Sequence, residues 1–146
     1  MSIFILFVLL LSTTTLSVTG QKKPSAYEVL QNYSLPRGIL PHGVREYELN
    51  SKTGYFRFYF NSTCQFSIES YKVKYKSTVS GYISKGRVRR LIGVSVKMIF
   101  FWLNIGEVSR DGDDMDFSVG VASEEFSAKY FSESPECGCG FRCNFL

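Results

Sequence analysis

From Tyr47 onward, apolar and polar positions alternate with a period of two, the spacing of strands that keep one face in a core and the other in water. In Tyr55-Phe56-Arg57-Phe58-Tyr59-Phe60, Phe56, Phe58 and Phe60 share one face, and Tyr55, Arg57 and Tyr59 the other. Tyr71-Lys72-Val73-Lys74-Tyr75-Lys76 repeats the arrangement, with Tyr71, Val73 and Tyr75 inward and three lysines in solvent. Cys64, Phe66 and Ile68 share a parity, as do Val79, Gly81 and Ile83. Gly81, Gly86, Gly93 and Gly106 recur at short intervals that suit bends and bulges in a curling sheet. Asp111-Gly112-Asp113 reads as a hairpin turn into a strand from Met115 to Val121. At least six strands are expected. Their spacing favours a mainly β fold, a small antiparallel β-barrel or sandwich, over alternating strand–helix units.

The helical signals are short. Ser25-Ala26-Tyr27-Glu28 has the capping-box form behind Pro24, and Ala26, Val29, Leu30 and Tyr33 fall on one helical face. Leu35-Pro36-Arg37-Gly38 imposes a turn, and Pro41 stops the helix from resuming. A second short helix is expected from Ser123 to Phe131, capped by Ser123, with Phe126 and Tyr130 on one face. One stretch breaks the alternation. Val94, Val96, Met98, Phe100 and Trp102 keep one parity, while the other begins polar at Ser95 and Lys97 and turns apolar at Ile99, Phe101 and Leu103. A central strand buried on both sides beneath the N-terminal helix accounts for this structurally. The functional alternative is an apolar groove or barrel mouth that receives a lipid or similar ligand.

Ahead of the first helix, MSIFILFVLLL from Met1 to Leu11 precedes a Ser/Thr-rich stretch and Val18-Thr19-Gly20. An apolar run too short for a bilayer of ~30 Å, ending in small residues, has the form of a secretory signal cut between Gly20 and Gln21. Only the α-amino group supplies its positive end. The expected organisation is a signal peptide over 1–20 and one domain over 21–146, with its core about 25–131 and a Cys-containing tail at 132–146. No later apolar run is long enough to span a membrane, so membrane contact is expected to be peripheral at most.

Composition reinforces the strand reading, since thirteen Phe and nine Tyr against four Pro suit pleated surfaces that pair rings across strands. The formal net charge of +4 conceals an uneven distribution. Between Ser70 and Gly106 there is no carboxylate, yet Lys72, Lys74, Lys76, Lys85, Arg87, Arg89, Arg90 and Lys97 all occur. From Glu107 onward nine carboxylates face three basic residues. Lysines on exposed strands guard against edge pairing. The functional alternative is an anion-binding surface. In an extracellular setting the anions are acidic lipid headgroups, lipopolysaccharide or acidic polysaccharides, and nucleic acid is not an expected partner.

Cys64, Cys137, Cys139 and Cys143 are expected to form disulfides after export. Cys137 and Cys139 are too close in sequence to bridge without strain. Cys64 therefore pairs with Cys137 or Cys139, and Cys143 closes the other tail loop. Four thiolates on zinc are the alternative, disfavoured because C-x-C-x3-C lacks the usual C-x2-C spacing. Asn32-Tyr33-Ser34 and Asn61-Ser62-Thr63 are glycosylation sequons at Asn32 and Asn61, the second in an expected turn. His42 is the sole histidine and no G-x-S-x-G elbow is present, so no catalytic residue is assigned. Asp111, Asp113, Asp114 and Asp116 do not follow calcium-loop spacing. No metal or cofactor is expected.

Leu35-Pro36-Arg37-Gly38-Ile39-Leu40-Pro41, Thr53-Gly54-Tyr55 through Cys64, Gly81-Tyr82-Ile83-Ser84-Lys85-Gly86, and Gly93-Val94-Ser95-Val96-Lys97 leading into Phe101-Trp102-Leu103, taken in order, resemble the plant family known as domain of unknown function 538. The resemblance covers roughly residues 25 to 143. It implies a single small domain around an antiparallel, barrel-like sheet, a fold likened to the lipid-binding bactericidal/permeability-increasing proteins. It also implies a plant source, hence the apoplast or cell wall as destination. Esterase activity has been proposed for the family, without a catalytic residue set to carry over. The expectation is thus a secreted protein that binds an amphipathic or anionic ligand such as a lipid. Lys72, Lys74, Lys76, Arg87, Arg89 and Arg90 would attract the anionic group, and Phe100 with Trp102 would line or border the apolar site. An ester hydrolase and a protein-interaction module are the alternatives. Oligomeric state is left open.

Overall fold

The computed structural model describes residues 22–141 and 143; the expected signal peptide and its cleavage site lie outside them. The chain opens with helix α1 (Ala26–Asn32), whose capping box is formed as expected: the Ser25 hydroxyl accepts from the Glu28 N–H, and the Glu28 carboxylate accepts from the Ser25 N–H. Ala26, Val29 and Leu30 are buried. A 3-10 turn (Arg37–Ile39) follows at Leu35-Pro36-Arg37-Gly38.

Among the described residues nine strands then form one antiparallel sheet: β1 (Val44–Leu49), β2 (Tyr55–Phe60), β3 (Cys64–Ile68), β4 (Tyr71–Ser84), β5 (Arg87–Met98), β6 (Phe101–Asn104), β7 (Glu107–Asp111), β8 (Asp114–Val119) and β9 (Ala122–Ser127). The hydrogen-bonded path runs β1-β2-β4-β5-β7-β8-β9 and does not close on itself. The long pair β4–β5 is its spine. Each of these strands serves two partners in succession: β4 meets β3 along Tyr71–Tyr75 and β2 along Thr78–Tyr82. Likewise β5 meets β7 at Arg87 and Val88, and β6 from Ser95 to Met98.

The change of partner coincides with a bend. The β4–β5 register slips between Tyr75 and Ser80, opposite Gly93 at φ +105, where an added Cβ would lie 2.6 Å from the Thr78 carbonyl oxygen. Only glycine tolerates that approach. The sheet therefore curls, far enough that Tyr71 on β4 meets Phe126 on β9 with ring centroids 5.9 Å apart, although three strands separate them in the path. Its concave face holds Phe56, Phe58, Phe66, Val73, Tyr75, Val94 and Met115 as one core, with α1 and Leu35 packed on it.

Two expectations about elements are corrected. The segment 94–103 is a hairpin, not one strand buried on both faces: β5 ends at Met98, Ile99-Phe100 turns, and β6 runs back along it. A two-residue turn shifts the parity by one, so that Phe101 and Leu103 lie opposite Met98 and Val96 on the same side of the ribbon, where both remain exposed. Residues 122–127 form strand β9, not a helix, because Gly120 at φ +62 turns the chain back onto β8 and pairs Phe126 with Met115. Only the last part, Ala128–Phe131, is helical, as a 3-10 turn capped by Ser127.

Beyond Phe131 the tail folds back along the sheet. The His42 N–H donates to the Pro135 carbonyl at 2.9 Å and the Gly138 N–H to the Gln65 carbonyl at 2.7 Å. Of the two pairings open for Cys64, Cys64–Cys137 is formed, across 73 residues, and Cys139–Cys143 closes the small loop.

Candidate ligand-binding site

The concave face is incompletely filled. A cavity of about 130 Å³ runs along it, walled by inward residues of β2, β3, β4, β5, β7, β8 and β9, with Leu30 of α1 and Phe131 also contributing. Phe58, Val79, Val94, Val96 and Val108 supply its aliphatic and aromatic floor. The one polar side-chain group buried deep in this wall is already committed. The Tyr75 hydroxyl, buried between Phe60 and Phe66, donates to the Ile39 carbonyl. Burial pushes its phenol well above the ordinary 10.0. Among the described residues no buried side-chain nitrogen or oxygen lacks a partner. Such a cavity makes no polar demand on an occupant and favours hydrocarbon.

The opening lies at the seam between the β3–β4 end and β9, two parts of the sheet that no hydrogen-bonded ladder joins. Half-exposed Ile68 and Tyr71 form one lip, and exposed Ala122, Ser123 and Glu124 the other. The Glu124 carboxylate beside Tyr71 raises the Tyr71 phenol. Met98 carries the cavity wall outward to the β5–β6 turn, where Ile99, Phe100 and Phe101 are 84%, 84% and 69% exposed.

The structure separates the basic residues into two groups. Lys72 and Lys97 are directly opposed on the convex face, and Lys97 also pairs with Trp102. The Lys74 ammonium lies 4.2 Å from the centroid of the Trp102 ring, a cation–π contact. Lys76 is exposed farther along β4. Arg87, Arg89 and Arg90 belong to the opposite end of the ribbon, beside Ser84 and Tyr82. On β5 six residues lie between Arg90 and Lys97, roughly 20 Å of strand if straight. There Arg87 is ion-paired with Glu107, and the Arg90 guanidinium lies 6.0 Å from the Tyr82 ring centroid. Only the lysine group adjoins the β5–β6 hairpin.

Neither Phe100 nor Trp102 belongs to the cavity wall. The turn at Ile99-Phe100 puts Trp102 on the convex face with Lys74 and leaves Phe100 at the tip. The wall residues Val79, Val96 and Val108, and the exposed Ile99, Phe101 and Leu103, were not assigned to a site from sequence. The signal for Ile99, Phe101 and Leu103 was the parity reversal across 99–100, which a two-residue turn produces; the wall valines carried only the period-two alternation.

The alternative catalytic reading centres on His42. Its Nε2 lies 3.8 Å from Glu136 Oε1, in a cleft that also holds Ser132, Ser134 and Arg37. The Ser134 hydroxyl donates to the Arg37 carbonyl at 3.0 Å, and among the described residues no hydroxyl is hydrogen-bonded to the imidazole. The arrangement lacks an activated nucleophile. Asn32 and Asn61 are both exposed, Asn61 in the β2–β3 turn. On the β7–β9 hairpins Asp116 faces Glu125, whose carboxyl is raised chiefly by its hydrogen bond with Asp114 and by repulsion from it.

The profile of a family described as "Protein of unknown function, DUF538" matches residues 26–132, from the first residue of α1 through the second 3-10 turn. A protein of Arabidopsis thaliana, described only as uncharacterised, is 27% identical over 105 residues. That alignment covers 71% of this chain and 61% of the relative, so the chain spans less than two thirds of the relative's length.

Proposed function

Because the chain belongs to the plant family described as "Protein of unknown function, DUF538", a description that carries no activity, we propose from geometry that it binds the apolar part of an amphipathic molecule, such as a lipid acyl chain, inside its curled sheet. The observation that carries this reading is the apolar cavity of about 130 Å³ opening at the seam. An apolar cavity of roughly 150 Å³ suffices for a benzene-sized molecule. A chain threaded through the opening would use the same surface and leave its head group at the lip, near Ser123 and the lysines of β4. The open, curled sheet is read as an incomplete barrel, in keeping with the expected likeness to bactericidal/permeability-increasing proteins. Two disulfides, the absence of a long apolar helix among the described residues, and the leader-like sequence at 1–20 together support secretion.

The test is fluorescence titration with the conjugated fatty acid parinarate, followed by displacement with oleate. The wild-type protein is expected to enhance the emission saturably. Val96→Phe, which fills the cavity, is expected to abolish the enhancement at a stability cost of about 1–3 kcal/mol. Equal enhancement by the filled variant, with its fold verified by circular dichroism, would rule the cavity out as the site.

A further inference from the structure

The turn between β5 and β6 is chemically unusual. Two-residue hairpin turns place one or both central residues at positive φ and are ordinarily built from Asn-Gly, Asp-Gly or a pair that begins with Gly. Here the pair is Ile99-Phe100, with Ile99 at φ 60. A β-branched residue in the left-handed region is a strained choice. The strain places no side chain in the core, because Ile99 and Phe100 are both 84% exposed. Phe101 and Leu103 on β6 extend the same apolar surface, and at the end of the β8–β9 hairpin Val121 is fully exposed. Met98 on one side and Val119 with Ala122 on the other connect these two turns directly to the cavity wall.

We infer that the β5–β6 tip inserts into an anionic phospholipid bilayer, with Val121 as a second apolar contact. Charge complementarity selects this occupant. Lys72, Lys74 and Lys97 surround the hairpin on its convex face, and the single tryptophan, Trp102, is held under Lys74. Apolar tip, interfacial Trp and a collar of lysines follow the order of a bilayer from hydrocarbon to headgroup. Two carboxylates share this end of the molecule: Glu69 in the β3–β4 turn and Glu124 at the cavity lip. They narrow the excess of positive charge, so hydrocarbon insertion by the tip supplies affinity and the lysines supply preference for acidic lipid. The inference extends the cavity reading by giving it a source of ligand, since the inserted turn adjoins the opening.

The experiment is flotation of the secreted protein with phosphatidylcholine vesicles, with and without phosphatidylglycerol. Ile99→Gly together with Phe100→Asn puts glycine at the one central position with positive φ, so its thermal midpoint is expected to equal or exceed wild type. Vesicle affinity is expected to fall by about a hundredfold or more with two large apolar side chains removed. In a second variant, Lys72→Gln, Lys74→Gln and Lys97→Gln together are expected to weaken binding to the acidic vesicles by a comparable factor, and binding to neutral vesicles hardly at all. Trp102 emission is expected to be quenched by brominated lipid in wild type and not in the turn variant. Parinarate binding in solution separates the two proposals, since it survives both variants if the cavity reading holds. Equal flotation of wild type and turn variant would overturn the inference. So would equal affinity for neutral and acidic vesicles, or a tip that mediates only self-association, seen as a dimer that the turn variant dissociates while vesicles recruit neither protein.

Discussion

At the scale of single residues, Gly38 shows how a motif read as a turn serves a second purpose. Its φ is not left-handed, yet a Cβ there would lie 2.3 Å from the Phe131 carbonyl oxygen and 2.5 Å from that of Glu133. The first 3-10 turn and the tail approach through the missing side chain. Gly38→Ala is expected to destabilise by about 1–3 kcal/mol through forced separation of two backbones, measured by urea unfolding; an unchanged midpoint would mean the tail is free to move away. Tyr75 gives a pH dependence. Buried, it keeps its proton at pH values where the unfolded chain releases it near 10.0. The folded state therefore holds more protons above that value, and this contribution to stability, full below pH 10, is lost as the pH rises through the raised folded value. Tyr27 acts in the same sense, since desolvation raises it too. Tyr75→Phe is expected to flatten the alkaline fall without abolishing it. It should also cost about 1–3 kcal/mol at neutral pH, because the Ile39 carbonyl loses its donor. Inward residues such as Phe56, Val73 and Tyr75 were legible from alternation alone. The contact of Lys74 with Trp102 was not, because it depends on register across β4, β5 and β6.

At the scale of elements, the reading succeeded where period and punctuation agreed. The capping box at Ser25 and the turn at Asp111-Gly112-Asp113 carry local chemistry that forces one outcome. It failed where the turn chemistry was missing or the pattern was shared. Ile99-Phe100 contains no turn-forming residue, so a hairpin looked like one apolar strand. Residues 123–131 have helix-compatible spacing, and only pairing with β8, a tertiary effect, makes the first five a strand. The disulfides invite a test at this scale. Removing Cys64–Cys137 by paired alanine substitution is expected to cost about 2–5 kcal/mol, since it closes a long loop. Removing Cys139–Cys143, with a separation of four residues, is expected to cost clearly less in the same denaturation experiment. Equal costs would show that the tail's backbone bonds to Gln65 and His42, not the long crosslink, anchor it.

At the scale of the whole molecule, the class of fold and the segregation of charge were readable in one dimension, whereas the cavity was not. A void is a statement about volume left over when seven strands, a helix and two 3-10 turns meet, and no local pattern encodes that remainder. The division of the basic residues follows the same logic: an acid-free stretch in sequence becomes two patches at opposite ends of a ribbon once β4 and β5 pair. The unjoined seam beside Tyr71 and Phe126 gives the molecule a further property. In a closed barrel, enlarging the interior would sever backbone hydrogen bonds. Here β9 and the β3–β4 end are held by side chains such as those two rings, so parting them sacrifices aromatic contact and leaves every ladder intact. If the cavity takes a ligand as proposed, its resting volume of about 130 Å³ would be a lower limit on capacity, and the sheet would act as a clasp whose girth adjusts to what it encloses.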